Sequence, residues 1–215
     1  MQWQTVSSEL SLFLDDITKT TVSEEMRITA FNRAQQYFAV THTAQFIVLP
    51  YTVDTLGQFS VPSGMIEPAA VHVYDSGRSI TRSLEKVTFY SSAMAPTGGF
   101  YISGGKFTIL DALQPNSQIT NGTLYYYGSY NNVTGDSSEI VLPDWAVWPV
   151  MNLAMAYTLY PLMIGQADIR RFQSKREAGV PEDNPSRKQA EFFIDTYKSI
   201  LAGFPIQDRG VAYLR

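Results

Sequence analysis

Cysteine is missing altogether from this sequence. Its absence excludes a disulfide framework and any thiol nucleophile, and it fits assembly in a reducing cytosol. Histidine is scarce as well: His42 and His72 are the only two. Neither has the spacing of a metal site or of a base serving a nucleophile, and His72, alternating with Val71 and Val73, reads as an ordinary strand side chain. Charge is thin. Asp, Glu, Lys and Arg make up 17% of the 215 residues, against about a quarter in an average soluble domain. With a net charge of −4 and a pI near 5.2, no basic field recommends nucleic acid as a ligand. The opening Met-Gln-Trp-Gln-Thr lacks the positive and apolar regions of a signal peptide, so nothing there directs secretion.

What takes the place of charge is aromatic and neutral-polar surface. Aromatics reach 13%, with 13 tyrosines, and a surface of that kind is either built from Ser, Thr, Asn, Gln and Tyr or covered by neighbours. The longest apolar run extends from Trp145 to Ile164, opened by Pro143-Asp144, a usual helix start in which the carboxylate caps free N–H groups. It is about as long as a bilayer core requires. Asn152, Thr158, Pro149 and Pro161 within it, and a mean hydropathy of −0.10 for the chain, favour a helix enclosed by protein over a membrane span.

Periodicity divides the rest. Leu10, Phe13, Leu14 and Ile17 predict a helix over 7–19. Thr21-Val22-Ser23-Glu24 has the form of a capping box and predicts a second, with Ala30, Phe31, Ala34, Tyr37 and Phe38 on one face. From 46 to 130 the apolar runs shorten and Gly, Pro, Asn and Ser punctuate them. Strands are predicted over 46–49, 58–61, 70–74, 78–82, 100–102, 106–110 and 123–129, with hairpin turns at Ser76-Gly77 and Ser103-Gly104-Gly105. After a polar loop, the long helix from Asp144 should kink at Pro161 and end by Gly179-Val180-Pro181. Asn184-Pro185 should start a last helix that runs to about Ala202. The predicted fold is therefore α+β: a helical bundle, made of an N-terminal helical pair and long C-terminal helices, with a small inserted antiparallel β-domain. The predicted divisions are 1–45, 46–130, 131–203 and an extended tail over 204–215.

No enzyme signature emerges. Gly99 to Lys106 has the look of a phosphate-binding loop, but its spacing is one residue off, Phe107 stands where Ser or Thr is required, and no helix follows. Asp15-Asp16 and Glu24-Glu25 are adjacent pairs that point to different sides of a helix. Asp136 and Glu139, with Asn131 and Asn132, lack the periodicity of a calcium loop. The Asn121 and Asn132 glycosylation triplets mean little without a secretory route. Catalytic, cofactor and metal residues are accordingly expected to be none. Arg170, Arg171, Lys175 and Arg176 form the one basic cluster, either a solvated face or a contact with DNA phosphates or an acidic partner.

The order of parts carries more than any single motif. A helical pair ends in Gln45-Phe-Ile-Val-Leu-Pro50. Gln58-Phe-Ser-Val-Pro62 comes next, then Ala69-Ala-Val-His-Val-Tyr74-Asp-Ser-Gly77. Phe100-Tyr-Ile-Ser-Gly-Gly-Lys-Phe-Thr-Ile-Leu110, Leu124-Tyr-Tyr-Tyr127 and Ile140-Val-Leu-Pro-Asp-Trp145 complete the series. This succession, over about residues 7 to 202, resembles the head–tail adaptor (neck or connector) proteins of tailed bacteriophages. The resemblance implies a twelve-fold homo-oligomeric ring beneath the portal protein. The ring would continue the DNA channel to a downstream neck or tail protein, without sequence-specific DNA binding and without a membrane. It would sit in the virion neck after assembly in the host cytoplasm.

By position, the family implies that the tail reaches the portal or a neighbouring subunit, through Phe204, Pro205, Ile206, Val211, Tyr213, Leu214 and Arg215. Trp145 and Trp148, three apart on the first turn of the long helix, are the residues expected to pack subunits. Two other classes stand beside this reading. One is a carbohydrate- or receptor-binding module of a virion or surface protein, gripping through Tyr125, Tyr126, Tyr127 and Tyr130. The other is a hydrolase using scattered carboxylates.

Overall fold

In a computed structural model, residues 1–18, 22–87, 98–113, 117–174 and 185–208 are described. The first helix starts earlier than its period suggests: α1 is Trp3–Thr18, and Trp3, Val6, Leu10 and Leu14 form its buried stripe, while Phe13 is exposed. Its start is fixed from outside the helix, because Trp3 N–H donates to the Ser138 carbonyl (2.9 Å) and Ile140 N–H donates to the Met1 carbonyl (2.8 Å). Helix α2, Glu24–Thr41, is capped by Ser23, whose hydroxyl accepts from Met26 N–H at 3.3 Å. It buries Ala30, Phe31, Ala34, Gln35, Phe38 and Ala39.

Helix α3, Asp144–Ser174, holds Pro149 and Pro161 inside it. Its described part is buried on most sides, through Val150, Met151, Ala154, Met155 and Leu159, and Asn152 and Thr158 return their polar groups to the Trp148 and Ala154 carbonyls. Among the described residues no helix is long and apolar enough to cross a membrane. Helix α4, Pro185–Leu201, presents Ala190, Phe193 and Tyr197 inward. These helices belong to one compact unit, Met1–Thr43 with Tyr130–Ile206.

A second unit spans Ala44–Ser129 with Gln207 and Asp208. Its strands are β1 (Gln45–Thr52), β2 (Gln58–Ser60), β3 (Met65–Asp75), β4 (Ile80–Lys86), β5 (Gly99–Ser103), β6 (Lys106–Ile109) and β7 (Ile119–Gly128), with a short 3-10 turn at Leu110–Leu113. They form one sheet in the order β1-β7-β3-β4-β5-β6-β2. Both hairpins the sequence specifies are present, β3–β4 closing around Ser76-Gly77 and β5–β6 around Gly104-Gly105. Ser103 pairs with Lys106 around Gly104 and Gly105, both with positive φ (56° and 74°), the geometry of a type I′ turn.

The expectation of a helical bundle carrying a small antiparallel β-domain is overturned. Four helices accompany a seven-stranded, curled, mixed sheet, a half-barrel that is a sheet domain in its own right rather than a small antiparallel insertion in a bundle. Three local readings misled. β3 runs eleven residues rather than five, because register shifts around Pro68 let the proline sit at an irregularity instead of ending the strand. β1 continues through Pro50, which an edge strand tolerates. β4 and β5 pair in parallel through Glu85↔Gly99 and Lys86↔Phe100, which no hairpin signal announces.

The two outermost strands of this open sheet meet through side chains. Tyr51 of β1 stacks on Phe59 of β2 at 3.9 Å between centroids, Phe59 on Phe107 at 4.7 Å, and Phe107 tilts against Phe100 at 5.6 Å. This ring stack is the centre of the sheet's core. The Tyr51 hydroxyl donates to the His72 carbonyl at 2.9 Å, and burial pushes its phenol well above the ordinary value. Tyr51 lies over Gly122, its register partner on β7. A Cβ there would run into the His72 carbonyl and the Tyr51 ring. Gly122→Ala should therefore lose the Tyr51–His72 bond and about 1–3 kcal/mol of stability. Urea unfolding followed by tyrosine fluorescence would register the shift, and an unchanged midpoint would contradict the close approach.

Candidate interaction surfaces

Four of the segments weighed and set aside for chemistry in the sequence hold structural places in this fold. The Gly99–Lys106 segment is the β5–β6 hairpin. His42 is buried, stacked on Phe38 at 5.4 Å and edge-on to Trp145 at 5.6 Å, with its Nδ1 2.8 Å from the Thr43 hydroxyl. His72 leans on Tyr125 at 4.8 Å on its strand. The 131–139 loop is clamped to α2. Asn32 Nδ2 donates to the Val133 carbonyl and Val133 N–H donates to Asn32 Oδ1, both at 2.8 Å, while Gln35 Nε2 donates to the Asn131 carbonyl at 2.8 Å. No group of His, Asp or Glu among the described residues is arranged to hold a metal ion.

Asp111, in the 3-10 turn after β6, is a buried carboxylate. Its Oδ1 accepts from Gly98 N–H, and its Oδ2 lies 3.0 Å from Arg82, which also reaches Asp75 at 4.0 Å. The arrangement ties β4 to the turn after β6. Each oxygen has a cationic or N–H partner, so the acid is neutralised where it stands and serves structure. A lone Asp in a loop gives no signal of this; only the pairing of β4 with β5 brings Arg82 to it.

The tyrosines proposed for carbohydrate are mostly spent inside. Tyr126, Tyr127 and Tyr130 are buried, leaving Tyr125 half-buried beneath Phe46, whose ring centroid is 6.2 Å away. Strand alternation sends Tyr126 to the core side, where it joins the central cluster. No platform of several exposed tyrosines results.

The helical unit is different. Trp148 is 44% exposed and Phe13 likewise 44%, the two rings meeting edge to face at 5.9 Å, and Leu12 beside Phe13 is 76% exposed. Trp145, one turn earlier on α3, is half-buried: Phe38 lies at 5.8 Å and Phe204 stacks on it at 4.3 Å. The tail thus begins on its own helices. The Phe204 carbonyl lies 3.3 Å from His42 Nε2, and Pro205 and Ile206 follow as exposed residues. Gln207 Oε1 accepts from Ala44 N–H at 2.8 Å. Val211, Tyr213, Leu214 and Arg215 lie outside the described residues, as do Lys175 and Arg176, while Arg170 and Arg171 lie within the span of α3 with their side chains undescribed. The fully buried tryptophan is Trp3, 5.1 Å from Phe31, not either of the pair on α3.

No protein-family model matches this chain, and no curated protein matches it.

Proposed function

We propose that this chain is a structural virion protein, a head–tail adaptor that forms a ring of identical copies beneath the portal and continues the DNA channel toward the tail. The observation that carries the reading is the Trp148–Phe13 pair: two large rings, each 44% exposed and touching across two helices, on a subunit with only 17% charged residues. Tryptophan at the centre of an interface is among the strongest binding anchors, and such a pair left in water marks a surface meant for a protein neighbour. A negative subunit suits a channel wall along which DNA slides without adhering. The exposed Pro205 and Ile206, with Val211, Tyr213, Leu214 and Arg215 after them, are the segment assigned to the portal or the adjoining subunit. The reading requires no catalytic residue, cofactor or metal.

Native mass spectrometry of the purified chain, alone and with portal rings, tests this directly. The expected result is a closed oligomer of twelve copies, formed alone or on the portal. A chain that stays monomeric at high concentration with portal present would refute it.

A further inference from the structure

One side of α1 is neither apolar nor charged. Gln4, Ser7, Ser8 and Ser11 stand three and four residues apart, beside the buried stripe that starts at Trp3, and so form one row of amide and hydroxyl groups. Across from the row lie Glu24 and Arg27 on the first turns of α2, and Asp136 in the 131–139 loop. Together they line a cleft of about 480 Å³, within the range of small-molecule sites. All of these residues belong to the helical unit. Its walls are tied in place. Trp3 N–H donates to the Ser138 carbonyl at 2.9 Å, and the Ser138 hydroxyl accepts from Thr134 N–H at 3.0 Å and from Gly135 N–H at 3.2 Å. Two groups in the lining are unmet. Ser7 is only 6% exposed, yet among the described residues nothing bonds to its hydroxyl. Arg27 donates from Nη1 to the Val22 carbonyl at 3.1 Å, while its Nε is buried with no acceptor, and no carboxylate among the described residues pairs with its charge. Folded proteins leave few buried polar groups in that condition.

Charge decides what the cleft can hold. The Glu24 and Asp136 carboxylates, both on exposed residues, only accept hydrogen bonds, and the Arg27 guanidinium only donates them. An anion drawn to Arg27 would face two carboxylates, and a cation drawn to the carboxylates would face the guanidinium. A neutral hydroxyl avoids both conflicts, because it donates and accepts alike. Several hydroxyls on one small molecule would satisfy the guanidinium, the carboxylates and Ser7 together. The Ser8 hydroxyl already donates to the Gln4 carbonyl at 2.8 Å and is left to accept. Leu12, 76% exposed on the rim, offers the one apolar contact, which suits the C–H face of a sugar ring. We infer that this cleft binds a neutral polyol, a mono- or disaccharide, whose hydroxyls are fixed by Arg27, Glu24 and Asp136 and completed by Ser7. The binding goes beyond the adaptor role and is independent of ring formation.

Isothermal titration calorimetry of the full chain with glucose, galactose, N-acetylglucosamine and maltose reads the binding whatever the oligomeric state. At least one sugar should give a saturable heat, with an affinity that is the same in low and high salt, as a neutral ligand requires. Asp136→Ala should weaken that affinity about tenfold or more and Ser7→Ala about threefold, the losses expected for a charged and a neutral hydrogen bond. Neither change removes a contact that holds the fold, since Asp136 is exposed and the Ser7 hydroxyl has no partner to lose. Both variants should therefore melt with the parent. No heat with any of the four sugars, or an affinity that both variants leave unchanged, would overturn the proposal. Saturable binding of inorganic phosphate or magnesium that the same two variants weaken would make the cleft an ion site and overturn it equally.

Discussion

Replacing Phe107 by alanine should lower the stability of the sheet unit by about 3–5 kcal/mol, a large fraction of the roughly 5–15 kcal/mol that holds an ordinary domain folded. Phe107 is wholly buried and stands in the middle of the ring stack, between Phe59 of β2 and Phe100 of β5. Its removal leaves Phe59 without support on one face, and Phe59 is the ring on which Tyr51 of β1 lies. The loss therefore reaches both margins of the curled sheet as well as its centre. Neighbours can collapse into such a cavity only by breaking the stack, so the cost should sit in the upper part of the range. Thermal unfolding by circular dichroism would measure it. Phe107→Leu, which keeps most of the volume, should lose less than half as much. A midpoint within a degree or two of the parent for Phe107→Ala would show that the stack does not hold the curl.

The second large effect is on assembly and rests on the adaptor reading. Trp148→Glu should abolish ring formation while leaving the subunit folded. The ring is 44% exposed on α3, so in the isolated chain a carboxylate there is solvated and helix-compatible. In a ring each copy would bury that charge against a neighbour with no cation to meet it, besides losing a tryptophan anchor. Losing the anchor alone removes about 2 kcal/mol or more per contact, a weakening of about thirtyfold, and an unpaired buried charge adds to it. Since closure needs every contact in the ring, the oligomer should vanish. Native mass combined with an unchanged melting curve is the decisive pair of measurements. Rings that persist would place the subunit contact on another face.

Much of the helical content could be read from the residues, because helix signals are local. Asp144 and Pro185 open their helices; the cap of α2 is Ser23, two residues beyond the Thr21 that the capping box implies, and its predicted stripe is buried through Ala30, Phe31, Ala34 and Phe38 while Tyr37 lies 48% exposed. Trp3 escaped because its burial depends on strand-like hydrogen bonds from 138–140, over a hundred residues away. Phe13 fits the apolar period of α1 yet lies outside, since the stripe that packs is set by Trp3 and Val6 one turn earlier. The clamp made by Asn32 and Gln35 looks, in sequence, like solvated helix surface.

In the sheet, the Ser103-Gly104-Gly105-Lys106 turn was legible to the residue. The pairing of β1 with β7, and of β4 in parallel with β5, was not, because register across such separations is decided by side-chain packing that no window of sequence contains. As for the candidate surface, composition pointed to covered neighbours and the first turn of α3 to its two tryptophans. Which of them stays in water was settled by Phe38 and Phe204, which take up Trp145 and leave Trp148.

The place of β1 in the sheet also sets a timetable for folding. Gln45 must find Gly128, so the strand made first among the seven waits for the strand made last. At about 5–20 residues per second on the ribosome, the interval is several seconds. Throughout it an uncharged Gln-Phe-Ile-Val-Leu segment has no ladder on either side. Pairings of such long sequence separation are intrinsically slow to form even in a finished chain. The nascent protein is thus most prone to aggregate while its middle third is being synthesised, and chaperone supply during synthesis should govern the yield of soluble subunit more than the stability of the finished fold.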